Sequence, residues 1–333
     1  MNIFEKLFAQ TEIPKLYPVH FTLPRGTIKR AEIEALLFGE FAEKRLDCQI
    51  RPGMSVAIAV GSREITNLVE IVKTVVEFVK RSGGIPFIFP AMGSHGGAAA
   101  KGQLEVLSGY GVTEAAMGCP IRSSMETVQI STTASGLPVH IDKYADQADG
   151  IIVIGRIKPH TDFRGKYESG LMKMLTIGLG KQCGANLCHS MGMSNMPETI
   201  EAYAGEVLRL KNVICGVGII EDAFHATYRL TVVPGGEIAD REPALLSEAK
   251  SLIPCIPFRK IDVLVLDEIG KDISGAGMDP NVTGRSPVLG ISRPFFQRIA
   301  VFDLTDKSHG NFGGLGSADV TTQRLYRKID FEQ

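Results

Sequence analysis

Apolar and polar positions follow two alternating periods along the first half of the chain. The continuous apolar run SVAIAV at Ser55–Val60 is typical of a strand that is covered on both faces of a sheet. Between residues 65 and 81 the apolar positions recur at helical spacing, and a Gly-Gly pair ends that helix. A second apolar run, IPFIFP at Ile85–Pro90, precedes another helix near residues 101–107. This strand–helix–strand–helix order predicts a parallel sheet with right-handed crossovers.

The same kind of pattern continues toward the C-terminus. Residues 231–257 are mixed and proline-bearing, so we expect a domain boundary near Phe258. The fold class is therefore α/β, with two α/β domains of largely parallel sheets, residues 1–257 and a smaller 258–333, and an active site in the cleft between them. The further predicted elements are a hairpin at 127–132 and 137–141, a helix at 200–210, and strands at 150–154, 213–220, 261–266 (buried) and 299–304.

Polar side chains gather where three of the predicted strands end. Arg63 follows the first strand, His95 lies in the glycine loop after the second, and His160 follows the strand at 150–154. Because the carboxyl ends of parallel strands lie at one edge of a sheet, where ligands bind, we expect these side chains to meet. The third loop is the richest in chemistry: it reads IKPHTDFRGKYESGLMKMLTIGLGK.

Each candidate residue has an alternative interpretation. His95 in GSHGG has little apolar cover and suits a site, although such a loop could instead hold a phosphate through its amides. His160 follows a proline that stiffens its turn, but an ordinary surface loop fits as well. Lys173, among apolar neighbours, is either a snorkelling side chain or a reactive amine in a pocket. His189 in CHSMGM indicates either a metal site with soft ligands or simple packing.

Composition and charge narrow the class of protein. The 333 residues suggest about two domains, and 44% apolar residues are enough for full cores. A net charge of −1 argues against a nucleic-acid or membrane partner, and no apolar run approaches the ~20 residues of a membrane span. The N-terminus lacks the apolar stretch of a signal peptide. Six scattered cysteines without CxxC spacing are typical of reduced thiols, so we expect a cytoplasmic protein.

These residues together suit proton transfer beside an anionic ligand. Histidine exchanges protons near neutral pH, and two histidines on opposite sides of a carbon would suit racemisation or epimerisation. Arg63 and Lys166 could hold a carboxylate or a phosphate. A lysine-based Schiff-base enzyme centred on Lys173 is a further possibility from the residues alone.

A family resemblance enters at these motifs. VAIAVGSREITNLVEIV, PAMGSHGGA, RIKPHTDFRGKYESGLMKMLTIGLGK and the following CHS resemble the lactate racemase family, whose members use a nickel-pincer nucleotide. The similarity covers most of the first domain and continues more weakly through GKDISGAGMDPNVTGR. It implies an isomerase that racemises or epimerises a small 2-hydroxy acid by hydride abstraction and return. It also makes residues 1–257 the cofactor-binding and catalytic domain.

The resemblance also implies roles for individual residues. The cofactor, pyridinium-3,5-bisthiocarboxylate mononucleotide nickel, grips nickel through two sulfur arms and a ring carbon, and by position one arm would be attached to Lys173. His189 would complete the nickel coordination, and Arg63 and Ser94 would bind the cofactor. His95 and His160 would act as acid and base on the substrate hydroxyl while hydride leaves the α-carbon and returns to its other face.

Departures from the family pattern shape the remaining expectations. The segment from His160 to Lys173 is longer than in the best-known members, so Lys166 is a second choice for attachment. The chain ends soon after SADVTTQRL, so an incomplete C-terminal domain is one expectation. The alternative function is a non-catalytic protein that binds a nucleotide or an anionic metabolite. In place of the family's glutamine and lysine pair near the substrate, the second domain offers Lys271, Asp272, Asn281 and Arg285, which favours a different 2-hydroxy acid.

Overall fold

The computed structural model describes residues 3–12, 15–285 and 294–332, and Phe4 by its backbone alone. Within these ranges no helix is both long enough and apolar enough to cross a bilayer. The strands are β1 Ser55–Val60, β2 Ile85–Pro90, β3 Thr127–Thr132, β4 Pro138–Asp142, β5 Gly150–Arg156, β6 Val213–Glu221, β7 Thr227–Pro234, β8 Lys260–Ile269, β9 Phe295–Leu304 and β10 Val320–Thr321. The α-helices are α1 Ile3–Ala9, α2 Ile33–Glu43, α3 Leu68–Arg81, α4 Ala100–Gly109, α5 Glu114–Met117, α6 Lys143–Gln147, α7 Leu171–Lys173, α8 Lys181–Ser190, α9 Met196–Leu210, α10 Ile238–Ser251, α11 Pro280–Thr283 and α12 Gln323–Tyr326.

The central sheet has the strand order β2-β1-β5-β6-β7. The first four of these strands are mutually parallel, and β7 pairs antiparallel with β6. Successive side chains of a strand point to opposite faces, and those of β1 enter two separate cores. Val56 and Ile58 pack with α2 and α3, whereas Ala57 and Ala59 pack with α9 and α10. Cover on both faces explains the continuous apolar runs, and the predicted parallel α/β sheet is confirmed.

The strand order creates a crevice at the carboxyl edge of this sheet. From β1 the chain moves to β2 on one side and later returns to β5 on the other side. Loops that leave two adjacent strands in opposite directions open a ligand-binding crevice between them. The loops after β1, β2 and β5 therefore emerge at one edge, as the sequence predicts, and they carry Arg63, His95 and His160.

A second, three-stranded sheet in the order β10-β9-β8 is entirely parallel and has its own core. The prediction that the strand at 261–266 is buried was wrong. Val263 and Val265 are 54% and 48% exposed, because the core of this small sheet lies on one face only and alternate residues lie outside it. This separate parallel sheet agrees with a second α/β unit beside the central sheet, and the division at residue 258 stays a prediction.

The segment that precedes this second sheet is more regular than the sequence indicates. Residues 231–257 include the end of β7 and the whole of α10, a helix with Pro243 inside it. Proline ordinarily interrupts helices, which is why the helical pattern here is hard to recognise. The helix matters because it carries Glu242, a buried carboxyl beneath the site.

Candidate active site

The loop after β5 is a closed structure held by a buried carboxylate. Lys158 and Ser169 exchange backbone hydrogen bonds of 3.0 and 3.2 Å, which bring the two ends of the loop together. Inside it, the carboxylate of Glu168 accepts the backbone N–H of His160 at 2.7 Å and that of Gly165 at 3.4 Å. Because backbone bonds to a buried carboxylate are strong, they fix the position of His160.

Cations from two parts of the chain pair with that carboxylate. Arg164 lies 3.3 Å and Lys250 2.7 Å from the Glu168 oxygens, and the glutamate side chain has no exposed surface. Arg164 also donates to the side-chain oxygen of Asn281, whose amide nitrogen lies 3.4 Å from the carbonyl of His160. The glycine-rich segment that follows β8 therefore contacts the His160 loop directly.

His160 and Lys173 form the central contact of the site. The Nζ atom of Lys173 lies 2.7 Å from Nε2 of His160, and the His160 ring stacks on Phe163 with centroids 4.1 Å apart. The backbone N–H of Asp162 donates to Nδ1 of His160 at 3.0 Å. Since Nδ1 is an acceptor, the neutral ring carries its proton on Nε2. In molecules whose Lys173 is unprotonated, that nitrogen donates to the lone pair of the amine.

The surroundings lower the pKa values of both groups. Burial, followed by the charges of Lys173 and Lys158, lowers the pKa of His160 to about 2. Burial, followed by the charge of Arg63, lowers the pKa of Lys173 to about 8. A lysine with such a pKa is unprotonated in an appreciable fraction of molecules near neutral pH, which makes it a nucleophile.

His95 is exposed in the glycine loop after β2. Its Nδ1 contacts the hydroxyl of Ser62 in the loop after β1, and Tyr110 donates to the carbonyl of Ser62 at 2.7 Å. Partial removal from water, followed by the charges of Arg63 and Lys173, lowers the pKa of His95. The charges of Arg63 and Lys173 act on both His95 and His160, so these side chains lie near one another. The strand exits predicted this for Arg63, His95 and His160.

Two cations at this edge are available for an anion. Among the described residues, no carboxylate lies within ion-pair distance of Arg63 or Lys158. Burial and the charge of Arg156 lower the pKa of Lys158, which Asp279 partly opposes. A side-chain carbon at Gly275 would lie 3.8 Å from Nη2 of Arg63, so the second sheet's loop borders this region. Lys158 was missed in the sequence, although its place directly after a buried strand is a usable signal.

His189 lies on α8 with its side chain exposed. Burial and the charge of Lys173 lower its pKa, which places it within electrostatic reach of the lysine. Its neighbour Cys188 is buried, and burial raises the pKa of that thiol to about 12. In the described ranges no three His, Cys, Asp or Glu side chains converge on a possible metal position. Cys188 is therefore a protonated thiol and a poor metal ligand, and the role of His189 stays a prediction.

Of two further predicted site residues, Lys166 lies apart from this centre and Ser94 lies in the His95 loop. Lys166 is exposed and donates to Glu201 at 2.7 Å, a bond that raises its pKa. Ser94 is exposed beside His95, within the same loop. The amine of Lys166 is thus engaged on α9 and does not contact the Lys173 pair.

The four substrate candidates of the second sheet also separate. Asn281 alone among them hydrogen-bonds to the His160 loop in the described residues. Lys271 donates to the carbonyl of Gly275 at 2.6 Å, next to the Arg63 region. Asp272 accepts from Thr305, directly after β9, at 2.5 Å. Arg285 pairs with Asp319 and donates to backbone carbonyls of the second sheet, so its guanidinium is already satisfied there.

Glu242 is a buried carboxyl that the sequence reading missed. Its Oε2 accepts the backbone N–H of Met172 at 2.8 Å, at the start of the short helix that carries Lys173. Its Oε1 has no hydrogen-bond partner in the described residues, and a side chain at Gly170 would come within 2.3 Å of it. Burial raises the pKa of Glu242 to about 7. The missed helix α10 thus supports the backbone of Lys173 from below.

Glu242 should make stability depend on pH in a defined direction. The folded carboxyl binds its proton more tightly than the unfolded one, because its pKa rises from 4.5 to about 7. Its contribution is therefore complete below pH ~4.5 and is lost as pH rises to about 7, by about 3 kcal/mol. We expect Glu242→Gln to flatten this decline, so that the variant gains stability over the wild type at pH 8 relative to pH 5.

Urea unfolding at the two pH values measures this effect. Glu248→Gln, on the same helix but paired with Arg229 near the surface, is the control and should keep the wild-type decline. An unchanged pH dependence in Glu242→Gln would show that the Glu242 carboxyl is ionised alike in the folded and unfolded chain.

Comparison with known proteins decides the family. Residues 15–200, more than half of the chain, match the family model described as the lactate racemase N-terminal domain. The chain belongs to the lactate racemase family. No curated protein sequence matches it significantly. Membership in this family points to an isomerase and confirms the resemblance seen in the motifs.

Solved structures support the fold of this family member. The lactate racemase apoprotein of Thermoanaerobacterium thermosaccharolyticum is 14% identical with a TM-score of 0.58, and the match covers 87% of this chain and 76% of that one. A protein of Thermotoga maritima is 12% identical with a TM-score of 0.58, covering 85% and 72%. At these identities the likeness shows the shared α/β fold.

Proposed function

We propose that this lactate racemase family member racemises or epimerises a 2-hydroxy acid with a nickel-pincer nucleotide. The observation that carries the proposal is the contact between the Lys173 amine, whose pKa is lowered to about 8, and His160, beside Arg63 and His95. A nucleophilic amine and two histidines are the protein groups that this chemistry requires.

The residues present fit the cofactor. A nucleophilic Lys173 suits covalent attachment of the cofactor. The guanidinium of Arg63 and the loop that contains Ser94 suit the phosphate of the cofactor. The described residues form no three-ligand metal cluster, which fits a group that brings its own donors and needs one protein ligand, His189. When bound, the nickel-pincer nucleotide would supply a reversible acceptor for hydride from the substrate carbon.

The chain's own residues then handle the proton and the carboxylate. His95 and His160 would exchange the hydroxyl proton of the substrate. The positive charge of Lys173 lowers the pKa of both histidines, and attachment removes that charge. Both rings should then become stronger bases. Two residues are placed to hold the substrate carboxylate, in place of Arg285 and Asp272. They are Asn281 and the cationic Lys158, which has no ion-pair partner in the described residues.

The test uses protein made together with the cofactor's biosynthetic enzymes. We expect intact mass and metal analysis to show an adduct and nickel, and a panel of 2-hydroxy acids to reveal inversion with at least one. His95→Ala and His160→Ala should each lower kcat by at least about 100-fold, since general acid–base catalysis contributes that much, while the adduct remains. Protein with neither nickel nor adduct under these conditions would contradict the proposal.

Two further elements belong to the proposal. All six cysteines lie in the described part of the chain and none forms a disulfide, which supports a cytoplasmic location. The unpaired cations Arg63 and Lys158 also favour the alternative, a non-catalytic protein for an anionic nucleotide or metabolite. That protein would be stabilised by the ligand in proportion to its concentration, without turnover.

A further inference from the structure

A buried polar cluster lies directly beneath the His95 loop. Gln103 on α4, Lys181 at the start of α8 and Asp142 at the end of β4 have no exposed surface. Burying a cation and a carboxylate costs solvation free energy, so a buried ion pair is weak grounds for stability alone. The contacts of this cluster show instead which part of the structure it holds in place.

The cluster fixes the orientation of the Gln103 amide. The ammonium of Lys181 donates to Oε1 of Gln103 at 2.5 Å and to the carbonyl of Pro90 at 2.7 Å. Because an ammonium can only donate, it selects the oxygen end of the amide. The nitrogen end therefore faces the loop, where it donates to the carbonyls of Gly93 at 3.0 Å and His95 at 3.1 Å.

Asp142 and the local backbone keep Lys181 in this position. The Oδ2 atom of Asp142 lies 3.5 Å from Nζ of Lys181, while its Oδ1 caps α6 by accepting from Tyr144. Lys181 itself has φ of 54°, a left-handed conformation that non-glycine residues rarely adopt.

The loop is also pressed against α4. A side-chain carbon at Gly102 would lie 2.0 Å from the carbonyl oxygen of Gly96, and one at Gly96 would lie 2.7 Å from the backbone nitrogen of Gln103. The two glycines allow the loop backbone to touch the helix. Gln103 can therefore reach the loop carbonyls from within the first turns of α4.

We propose that Gln103 is a positioning residue for His95, with Lys181 orienting its amide. Gln103 holds the backbone of His95, and Ser62 engages Nδ1 of its ring, so Nε2 is the nitrogen left to exchange a proton with a ligand. The geometric part concerns the loop alone. The consequence for turnover rests on the proposed racemase function.

Gln103→Glu tests this role with a nearly isosteric change. The new carboxylate can still pair with Lys181, but it cannot donate to Gly93 or His95 and repels their carbonyl oxygens. We expect the loop to move away from Arg63 and Lys173, so the pKa of His95 should rise toward 6.5. In loaded enzyme kcat should fall by about 10- to 100-fold with KM nearly unchanged.

The pKa is read by NMR of histidine-labelled protein, with His95 assigned from His95→Gln. Gln129→Glu, on the exposed hairpin strand β3, is the matched control and should leave the titration and kcat as in the wild type. Gln103→Met should give the same rise, because it removes the donors without adding the negative charge that by itself raises the pKa of His95.

The two arms separate the proposals. A wild-type His95 titration in a folded Gln103 variant overturns the positioning role, whatever the activity. A shifted titration in the Gln103 variants supports the positioning role. If the loaded wild-type protein inverts no hydroxy acid, the proposed racemase function is contradicted instead. A shifted titration with unchanged kcat would show that His95 is held by Gln103 but that its position does not govern turnover, which overturns the catalytic part.

Discussion

We expect Lys173→Arg to abolish covalent loading of the cofactor and all inversion of substrate, whereas Lys166→Arg should leave both intact. Arginine keeps the positive charge but stays protonated and cannot act as a nucleophile. Lys173 has a pKa of about 8 and touches His160, so its amine is available to react. Lys166 is held protonated by its bond to Glu201, at a distance from that pair.

Mass spectrometry distinguishes the two lysines. Both variants and the wild type are produced with the cofactor's biosynthetic enzymes, and peptides that contain residues 173 and 166 are mapped for a mass increment. Lys166→Arg serves as the matched control, because it makes the same substitution within the same loop. An adduct that survives Lys173→Arg and disappears in Lys166→Arg would reverse the assignment and identify Lys166 as the attachment site.

Glu168→Ala should be the most destabilising single substitution in the site loop. It removes a fully buried carboxylate that binds Arg164, Lys250 and the backbone of His160. Breaking a buried ion pair by removing one partner costs about 3–5 kcal/mol, and partial exposure of both cations places this case near the lower figure. The variant should also lose activity, because the His160 backbone loses its acceptor.

Glu201→Ala is the control for that measurement. Glu201 also accepts from a lysine at 2.7 Å, but its side chain is 50% exposed, whereas that of Glu168 is fully buried. An exposed pair contributes less than about 1 kcal/mol. Urea unfolding of both variants compares the free energies, and equal losses would contradict the structural role assigned to the buried carboxylate.

How far the sequence predicts the site differs from residue to residue. The exits of β1, β2 and β5 were correctly expected to bring Arg63, His95 and His160 together. Apolar runs reveal buried strands, and parallel strands share a carboxyl edge, so the pattern contains this information. Lys166 and Lys173 could not be separated in the same way. Both lie in one loop, and only the packing decides which amine faces Glu201 and which faces His160.

Residues that act from neighbouring elements were beyond the sequence pattern. Glu242 lies on a helix obscured by Pro243, and Gln103 looks like any polar residue of an amphipathic helix. Their importance comes from long-range contacts, with the Lys173 helix and with the His95 loop. No local period encodes such contacts, because they depend on how α10 and α4 dock on the sheet.

The sequence by itself determined the α/β class, the central parallel strands, the family and the three loops that meet at one edge. These follow from local apolar periods and from glycine and histidine motifs, which are properties of short segments. Only the tertiary structure decided the contact between Lys173 and His160 with its lowered pKa values, the buried supports Glu168 and Gln103, and the separation of Lys166 and Arg285 from the centre. The physical reason is that protonation and side-chain direction depend on burial and on charges brought together from distant parts of the chain.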